Sequence, residues 1–278
     1  PFILYRRRGL PFQAAVAAAQ VLGHDLYSDE HYKAAVMEAL AQADEEGIGG
    51  ISEAHLVARC AELIGLPADR VAPSITLQAG RAGKCEQGLW FSPVVYFVRK
   101  KALAMIRANQ QDSGNASPSV QARALRYRYT VVTGGAGSGK TELARSLSAQ
   151  VRERGGTVAA TAMTGKAATL LGEDATTLHK LLGYGGGGYS VSSVGADLVL
   201  VDEAGMLTWH ILYRLLLSCR GQIVLIGDPA QLAPVGATPV MAELLTVLPV
   251  VHLGEEGSKG SLLVKVQVIR FASEALLL

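Results

Sequence analysis

The sequence predicts an α/β protein, in which a parallel sheet covered by helices on both faces follows a mainly helical N-terminal domain. The first hundred residues carry apolar side chains three and four positions apart, the spacing of amphipathic helices. After residue 120, short apolar runs rich in β-branched residues alternate with helical segments. Between these regions, residues 109–119 are polar and contain Gly, Ser and Pro, as linkers do. We therefore predict domains at residues 1–108 and 120–278, joined by a linker at 109–119.

Three helices are predicted in the N-terminal domain: Pro11–Leu22, Asp29–Asp44 and Ser52–Ile64. Ser28 and Ser52 occupy N-cap positions, where a side-chain oxygen accepts a backbone N–H, and Gly47 and Gly65 are placed to end helices. The run Val94–Val98 is apolar and rich in valine and aromatic residues. We predict it as a short strand, half of a hairpin in a winged-helix-like unit.

Four apolar runs after the linker are predicted as strands of one sheet: Tyr129–Thr133, Val158–Thr161, Leu198–Val201 and Ile223–Ile226. Helices are predicted at Thr141–Arg154 and Ile211–Cys219. Strands that alternate with helices form parallel sheets, and ligands of such sheets bind at the carboxyl ends of the strands. The residues that directly follow each strand are therefore the candidates for function.

Composition excludes several classes of protein. With 26 basic and 24 acidic residues, the formal charge is only +2, so a strongly polycationic tail is excluded, although local basic clusters can still bind nucleic acid. Cys60, Cys85 and Cys219 show neither C-x-x-C spacing nor a paired His, which disfavours a zinc site or disulfide framework and favours a reduced, cytoplasmic setting. The longest apolar runs are too short to span a bilayer, so we expect no membrane partner.

Two short basic clusters each have two interpretations. Arg6–Arg8, before an alanine-rich stretch, is compatible with a twin-arginine export signal, but the stretch is weakly apolar and no cleavage site follows it. We interpret it as the basic start of an amphipathic helix. Arg6–Arg8 and Arg99–Lys101 are also candidates for phosphate contacts, but charge runs are usually solvated surface, which is the interpretation we prefer.

A glycine-rich loop follows the first predicted strand and precedes a predicted helix. It has the pattern G-x-x-x-x-G-K-[ST], with the residues Gly134, Gly135, Ala136, Gly137, Ser138, Gly139, Lys140 and Thr141. The glycines let successive backbone N–H groups point at phosphate oxygens, and the helix adds its positive N-terminal end. In this pattern Lys140 reaches the β- and γ-phosphates and the Thr141 hydroxyl binds Mg²⁺. The sequence therefore predicts a P-loop that binds ATP and Mg²⁺.

Polar residues also end the third and fourth strands. Asp202 follows a buried apolar strand, where a carboxylate needs an ionic partner, and Mg²⁺ is the obvious one. Glu203 is then placed to orient and polarise a water for attack on the γ-phosphate. Gln231, after the fourth strand, carries an amide that can contact a γ-phosphate oxygen. We predict Lys140, Glu203 and Gln231 as the catalytic side chains.

Five segments, in this order and spacing, resemble motifs of the RecD-like and TraA-like superfamily 1B DNA helicases: GGAGSGKT, TAMTGKAA, TTLHKLLG, VLVDEAGM and IGDPAQLAPVG. The resemblance covers residues 120–278 as a first RecA-like motor domain and extends into the helical N-terminal region. It implies a RecA-like P-loop fold and ATP hydrolysis coupled to 5′-to-3′ movement on single-stranded DNA. It also implies a place in DNA recombination or repair, within a recombination or conjugation complex.

The resemblance implies further site residues. Thr164, Gly165 and Lys166 match the motif that holds the single-strand backbone, and His179 lies in the adjoining motif. Gln121 matches the glutamine that reads adenine, although the stretch from Gln121 to the P-loop is shorter than in the family. Without the resemblance, Lys166 would be interpreted as a surface charge and His179 as a structural histidine. Gln231 matches the γ-phosphate sensor that links hydrolysis to movement.

The sequence also departs from the family pattern. A second RecA-like domain with its arginine finger is absent from these residues, and an Arg-Gln pair expected soon after Leu253 cannot be placed, because Arg270 comes too late. We therefore interpret the chain as an N-terminal domain plus a C-terminally truncated first motor domain. On this interpretation it should bind ATP, hydrolyse it poorly and unwind nothing by itself.

Three functions remain to be separated. The leading hypothesis is an ATP-dependent DNA helicase of the RecD-like type, present here as an incomplete motor. The alternative is a P-loop ATPase that binds DNA without unwinding it, which the lack of a second motor domain supports. A P-loop kinase is the third. A kinase should lack the Gln231 motif, which is present here, and should carry a lid or acceptor site, which the sequence does not show.

Overall fold

The computed structural model describes residues 11–114, 117–185, 188–228, 237–254 and 264–267. The chain divides into two compact units. The N-terminal unit comprises Pro1–Val98 with Ala233–Thr238, and the sheet unit comprises Arg99–Leu232 with Pro239–Leu278. The division falls inside a helix, and the predicted domain limits at residues 108 and 120 stay predictions.

Helices and short strands alternate in the N-terminal unit. They are α1 (Phe12–Val21), α2 (Asp29–Glu45), β1 (Ile48–Ser52), α3 (Glu53–Ile64), α4 (Ala68–Ala82), β2 (Lys84–Glu86) and β3 (Leu89–Phe91). Both predicted N-caps are confirmed, since the Ser28 side chain accepts from the N–H of His31 and the Ser52 side chain accepts from the N–H of His55. α3 ends at Gly65, as its sequence predicts.

The core of the N-terminal unit lies between its helices and β1. α2, α3 and α4 pack against one another, and α2 also packs against β1. Ile51, Leu56 and Ile75 are among the largest fully buried side chains there. Burial of each such side chain stabilises the fold by about 1.5–3 kcal/mol, so this unit has an apolar core of its own.

The remaining elements belong mainly to the sheet unit. They are α5 (Pro93–Asn109), α6 (Val120–Ala124), β4 (Tyr129–Gly134), α7 (Lys140–Glu153), β5 (Val158–Ala162), α8 (Gly165–Leu171), β6 (Thr176–Thr177), α9 (Leu178–Leu181), β7 (Tyr184–Gly185), β8 (Gly188–Tyr189), β9 (Leu198–Asp202), a 3-10 turn (Ala204–Met206), α10 (Trp209–Ser218), β10 (Gln222–Gly227), β11 (Ala237–Pro239), α11 (Val240–Val247), β12 (Val250–Leu253) and β13 (Val264–Gln267).

The predicted strand at Val94–Val98 is wrong, because these residues lie in α5. The Ser92 hydroxyl accepts from the N–H of Val95 at 3.2 Å, and Pro93 occupies the first helical position, where its missing N–H costs nothing. Val95 is buried, whereas Val94 and Phe97 are 62% and 57% exposed. The hairpin of the N-terminal unit is instead formed by β2 and β3, in a sheet of order β11-β1-β3-β2.

The sheet unit contains a seven-stranded sheet in the order β13-β12-β4-β10-β9-β5-β6. Neighbouring strands from β12 to β6 are parallel, and β13 pairs with β12 in the antiparallel direction. All four predicted strands are present within one residue at each end. The predicted α/β class, with a RecA-like P-loop sheet that follows a mainly helical region, is therefore confirmed.

Both faces of this sheet are buried. On one face, Val132, Leu200 and Val224 pack with Leu143 and Leu147 of α7. The strand residues of opposite parity are buried as well, and α10 and α11 bury apolar side chains that do not belong to this cluster. A strand without a solvent face reads as an unbroken apolar run, which explains why these strands were visible in the sequence.

The segment before α6 is tied to the start of β4. The side-chain amide of Gln110 donates to the carbonyl oxygen of Tyr129 and accepts from its N–H, each at 2.9 Å. Asp112 forms an ion pair with Arg126 at 2.9 Å. The described part of the predicted linker is therefore held against the sheet unit by hydrogen bonds.

Among the described helices, none is both long and apolar enough to cross a membrane. Arg6–Arg8 lies outside the described residues. The other basic cluster differs from its prediction, because Arg99 is buried and forms a bidentate ion pair with Glu243 of α11. The interpretation of Arg99–Lys101 as solvated surface is therefore wrong for Arg99.

We expect Glu243→Ala to lower the free energy of unfolding of the sheet unit by about 3 kcal/mol, because it removes the bidentate partner of a buried guanidinium. The control is Asp174→Ala, whose carboxylate is 88% exposed and 3.9 Å from Arg152, and which should change stability by less than about 1 kcal/mol. Urea unfolding followed by the fluorescence of buried Trp209, with Trp90→Phe in every variant, measures both values. Equal losses would contradict the prediction.

The N-terminal unit should lose stability in mild acid because of His31. Burial lowers the pKa of this histidine below 6.5, against the opposing effects of the Leu26 carbonyl and Asp25. The unfolded chain therefore takes up the proton first as the pH falls through about 6.5, and the free energy of unfolding declines from there to the lowered pKa. Above about 6.5 this contribution is fully present.

The measurement is urea unfolding followed by Trp90 fluorescence between pH 5 and 8, with Trp209→Phe in every variant. His31→Asn, which can still donate toward the Leu26 carbonyl, should show a smaller loss of stability below pH 6.5 than the parent. Parallel pH profiles for the two proteins would show that His31 does not govern this decline.

Candidate active site

The candidate site lies at the carboxyl ends of β4, β5 and β9. The P-loop connects β4 to α7, and Gly137 and Gly139 in it have φ angles of 76° and 82°, which residues with a Cβ rarely adopt. Gly139 directly precedes Lys140, the first residue of α7. Amides in the first turn of a helix have no partner inside the helix, so the loop presents backbone N–H groups together with the positive helix end.

Gly134 marks the closest approach within the loop. A Cβ at this position would lie 2.3 Å from Ser138 Oγ and 2.9 Å from the carbonyl oxygen of Leu253 in β12. The Ser138 Oγ is itself buried and has no hydrogen-bond partner among the described residues. A buried hydroxyl without a partner at the centre of the loop fits a loop that receives oxygen acceptors from a phosphate.

Lys140 folds back over the P-loop. Its Nζ donates to the carbonyl oxygens of Gly134 and Gly135, each at 2.6 Å. The ammonium group therefore lies at the loop. Phosphate oxygens carry more negative charge than carbonyl oxygens, so they are the stronger acceptors for this ammonium.

Asp202, the last residue of β9, has a buried carboxyl group. Burial raises its pKa, while the backbone N–H of Glu203, Lys140 and the Thr141 hydroxyl act to lower it. Lys140 and Thr141 of the P-loop are thus close enough to Asp202 to lower the pKa of its carboxyl group against the effect of burial. Lys140, Thr141 and Asp202 therefore lie together at one edge of the sheet.

The residues around Asp202 fit Mg²⁺. The Thr141 hydroxyl and the Asp202 carboxylate would supply two hard oxygen ligands, and Mg²⁺ in nucleotide sites is usually held by one or two protein ligands with phosphate oxygens and waters. No cluster of three or more His, Cys, Asp or Glu side chains suited to a metal ion occurs in the part of the chain that the structure describes. A small donor set beside a phosphate loop is therefore consistent with the predicted metal.

Glu203 occupies a left-handed turn with φ of 54°, an unusual conformation for a residue with a side chain. This turn separates β9 from the 3-10 turn and turns the exposed Glu203 side chain toward the end of β5. There the Glu203 Oε2 accepts from the Thr164 Oγ1 at 2.8 Å. Their sequence motifs predict separate roles for these two residues, and the contact between them was not predicted.

The other residues predicted for DNA lie next to Thr164 or farther along the chain. Thr164 caps α8, and Gly165 and Lys166 are exposed in its first turn. His179 lies in α9, with its ring 5.4 Å from that of Tyr184. Tyr184 in turn lies 5.0 Å from Tyr189 across the β7–β8 hairpin. Sequence reasoning missed this aromatic pair, although two tyrosines that flank a glycine run were its signal.

Two predicted nucleotide contacts have different outcomes. Gln121 lies in α6, and its Nε2 donates to Ser146 Oγ of α7 at 3.2 Å, so it packs against the helix that begins at the P-loop. Gln231 lies outside the described residues. Both roles stay predictions.

A P-loop at the end of a central parallel strand, beside a buried aspartate and a following glutamate, defines a P-loop nucleoside triphosphatase. Residues 119–256 match a family described as an AAA domain. This match covers the P-loop, Asp202 and Glu203, and it supports the predicted use of a nucleotide.

Two curated relatives are more specific. The chain is 28% identical over 230 residues to the ATP-dependent RecD2 DNA helicase of Deinococcus radiodurans, covering 72% of this chain and 32% of the relative. It is 35% identical over 157 residues to the RecBCD enzyme subunit RecD of Mycolicibacterium smegmatis, covering 44% of this chain and 28% of the relative. The resemblance to RecD-like superfamily 1 helicases is thereby confirmed. The chain spans about a third of the length of the curated relatives it matches.

The similarity is not confined to the sheet unit. Residues 99–278 cannot supply 72% of the chain, so the match to the Deinococcus helicase extends into the N-terminal unit.

Among solved structures, Bacteroides Pif1 bound to single-stranded DNA is similar at 21% identity with a TM-score of 0.35, over 57% of this chain and 41% of that one.

We expect Gly134→Ala to weaken nucleotide binding roughly ten- to hundredfold, because the added Cβ collides with Ser138 and with the backbone of β12 and so displaces the phosphate-facing amides. Gly135→Ala is the matched control, since a Cβ there meets nothing within 4 Å, and it should bind nucleotide nearly as the parent does. Calorimetric titration with ATP and Mg²⁺ measures both affinities. Similar affinities for the two variants would contradict this account of the loop.

Proposed function

We propose that this chain is the nucleotide-binding part of an ATP-dependent DNA helicase of the RecD-like type. The proposal rests on one observation above all: Lys140, Thr141, Asp202 and Glu203 meet at one edge of a parallel sheet, and Thr164 of the predicted DNA motif is hydrogen-bonded to Glu203. The similarity to a RecD2 protein named as an ATP-dependent DNA helicase supports this assignment. We propose single-stranded DNA as its partner and the cytoplasm as its location.

Each residue of the site has a distinct task in this proposal. Lys140 exchanges the two loop carbonyls for phosphate oxygens, and the N-terminal amides of α7 bind the same phosphates. Thr141 and Asp202 hold Mg²⁺, which when bound neutralises charge that develops on the phosphates. Glu203 orients the attacking water and accepts its proton. Gln231 senses the γ-phosphate, and Gln121 contacts adenine.

Thr164, Gly165, Lys166 and His179 contact the single strand in this proposal. Lys166 is exposed and can pair with a backbone phosphate, a contact that weakens as the salt concentration rises. We further propose that a second motor domain supplies the cation that stabilises phosphoryl transfer, and that the protein acts in a recombination or conjugation complex.

A second function applies if these residues act by themselves. The described residues contain one parallel sheet, whereas translocation requires two motor domains that close on ATP. The chain would then bind ATP and single-stranded DNA, hydrolyse ATP poorly and not separate strands. ATP-driven strand displacement by the 278 residues alone would exclude this second function.

Two substitutions test the proposed function. Lys140→Ala removes a charge-assisted phosphate contact and should weaken ATP binding roughly ten- to hundredfold. Glu203→Gln should leave ATP affinity nearly intact and lower turnover by roughly 10²–10⁴, the usual contribution of a positioned base. Calorimetry measures affinity, and phosphate release with excess single-stranded DNA measures turnover.

The two substitutions test different parts of the proposed function. ATP affinity that is unchanged by Lys140→Ala would overturn the nucleotide site. Equal losses of affinity and turnover in Glu203→Gln would make Glu203 a structural or metal-binding residue and overturn its role toward water.

A further inference from the structure

One hydrogen bond joins two motifs to which the proposed function gives separate tasks. The Thr164 Oγ1 donates to the Glu203 Oε2 at 2.8 Å. The same Thr164 oxygen accepts from the N–H of Ala167 at 3.2 Å, as the N-cap of α8. Thr164 is half-buried and Glu203 is exposed, so a solute that reaches this edge of the sheet can reach the pair.

The contact follows from the register of the sheet. β5 and β9 are parallel, and Ala162 lies opposite Asp202. Ala162 and Asp202 are the last residues of their strands. Beyond them, the N–H of Met163 still donates to the carbonyl oxygen of Asp202 at 3.2 Å. Thr164 and Glu203 are therefore brought together by the two strands.

The hydroxyl of Thr164 can satisfy only one anion at a time. A hydroxyl group has one hydrogen to donate, and its oxygen already accepts the capping N–H of Ala167. A phosphate oxygen can only accept a hydrogen bond. It can therefore bind this hydroxyl only by replacing Glu203 as the acceptor. Binding of a backbone phosphate to Thr164 and binding of Glu203 to Thr164 therefore exclude each other.

The backbone of Glu203 is fixed on both sides. Its N–H donates to Asp202 Oδ1 at 2.9 Å, and its carbonyl oxygen accepts from the N–H of Met206 at 3.2 Å. Release by Thr164 therefore frees the side-chain torsions of Glu203 without moving the turn. The freed carboxylate can then turn to an orientation in which it accepts from the attacking water.

We propose that Thr164 is a positioning residue that couples single-stranded nucleic acid to ATP hydrolysis. Without nucleic acid, its hydroxyl holds the Glu203 carboxylate. A backbone phosphate replaces Glu203 as the acceptor of the Thr164 hydrogen bond. Glu203 is then able to accept from the attacking water. This inference rests on the proposed function. It explains the stimulation of ATP hydrolysis by single-stranded nucleic acid through one hydrogen bond.

The coupling has to act in both directions. If the phosphate must displace Glu203, then Glu203 weakens nucleic-acid binding by the same factor by which nucleic acid weakens the Thr164–Glu203 bond. A measurement of binding alone therefore tests the inference, even where turnover is slow.

The first test is a double-mutant cycle on the affinity for a fluorescent oligothymidylate at fixed salt. Glu203→Ala should tighten binding roughly three- to tenfold, because it frees the Thr164 hydroxyl and removes a negative charge. In the Thr164→Val background only the charge effect remains, so the gain should fall to about twofold or less. Thr164→Ser keeps the hydroxyl and should restore the larger gain. Equal gains in the threonine and valine backgrounds would overturn the inference.

The second test compares phosphate release with and without the oligonucleotide. Thr164→Val should raise turnover without DNA and bring the ratio of stimulated to unstimulated turnover close to one, whereas a purely structural defect lowers both rates. An unchanged ratio, with ATP binding still sensitive to Lys140→Ala, would overturn the coupling but not the proposed function. Loss of that sensitivity would overturn the proposed function itself.

Discussion

The arrangement of the site depends on the close approach of the chain to itself at Gly134. β4 ends there between the Ser138 side chain and the carbonyl oxygen of Leu253, with no room for a Cβ. Because β4 is also paired with β10 on one side and β12 on the other, the loop begins from a position that three strands define. The P-loop therefore starts from a fixed point, and Lys140 at its end lies near Asp202. If the chain were packed less closely around Gly134, the same site residues would be present but would not lie together.

Parallel register carries this order across the sheet. Leu225 of β10 lies opposite Val131 of β4 and Val201 of β9, so strands that are distant in sequence end at one level. Burial of Asp202 at that level raises its pKa, and the neighbouring lysine and hydroxyl oppose this effect. Charge and hydrogen bonding at the site thus follow from strand alignment. Among the described non-glycine residues of the site, only Glu203 has a positive φ angle.

Sequence reasoning predicted the parts that depend on local composition. The four sheet strands are buried on both faces and therefore appear as apolar runs, and Ser28 and Ser52 cap helices through neighbours three residues away. Val94–Val98 was assigned to a strand because its β propensity was counted and the preceding Ser-Pro start was not. The Arg99–Glu243 pair joins residues 144 positions apart, and the Thr164–Glu203 bond needs the β5–β9 register. Contacts of this kind depend on the tertiary fold, so composition and spacing do not reveal them.

The two hydrogen bonds between the Gln110 amide and Tyr129 fix the start of β4. They fasten the chain that leaves α5 to the first residue of β4, while Gly134 at the other end of that strand begins the P-loop. Both ends of the strand that begins the P-loop are thus held by residues distant from it in sequence, Gln110 at its start and Leu253 beside its end.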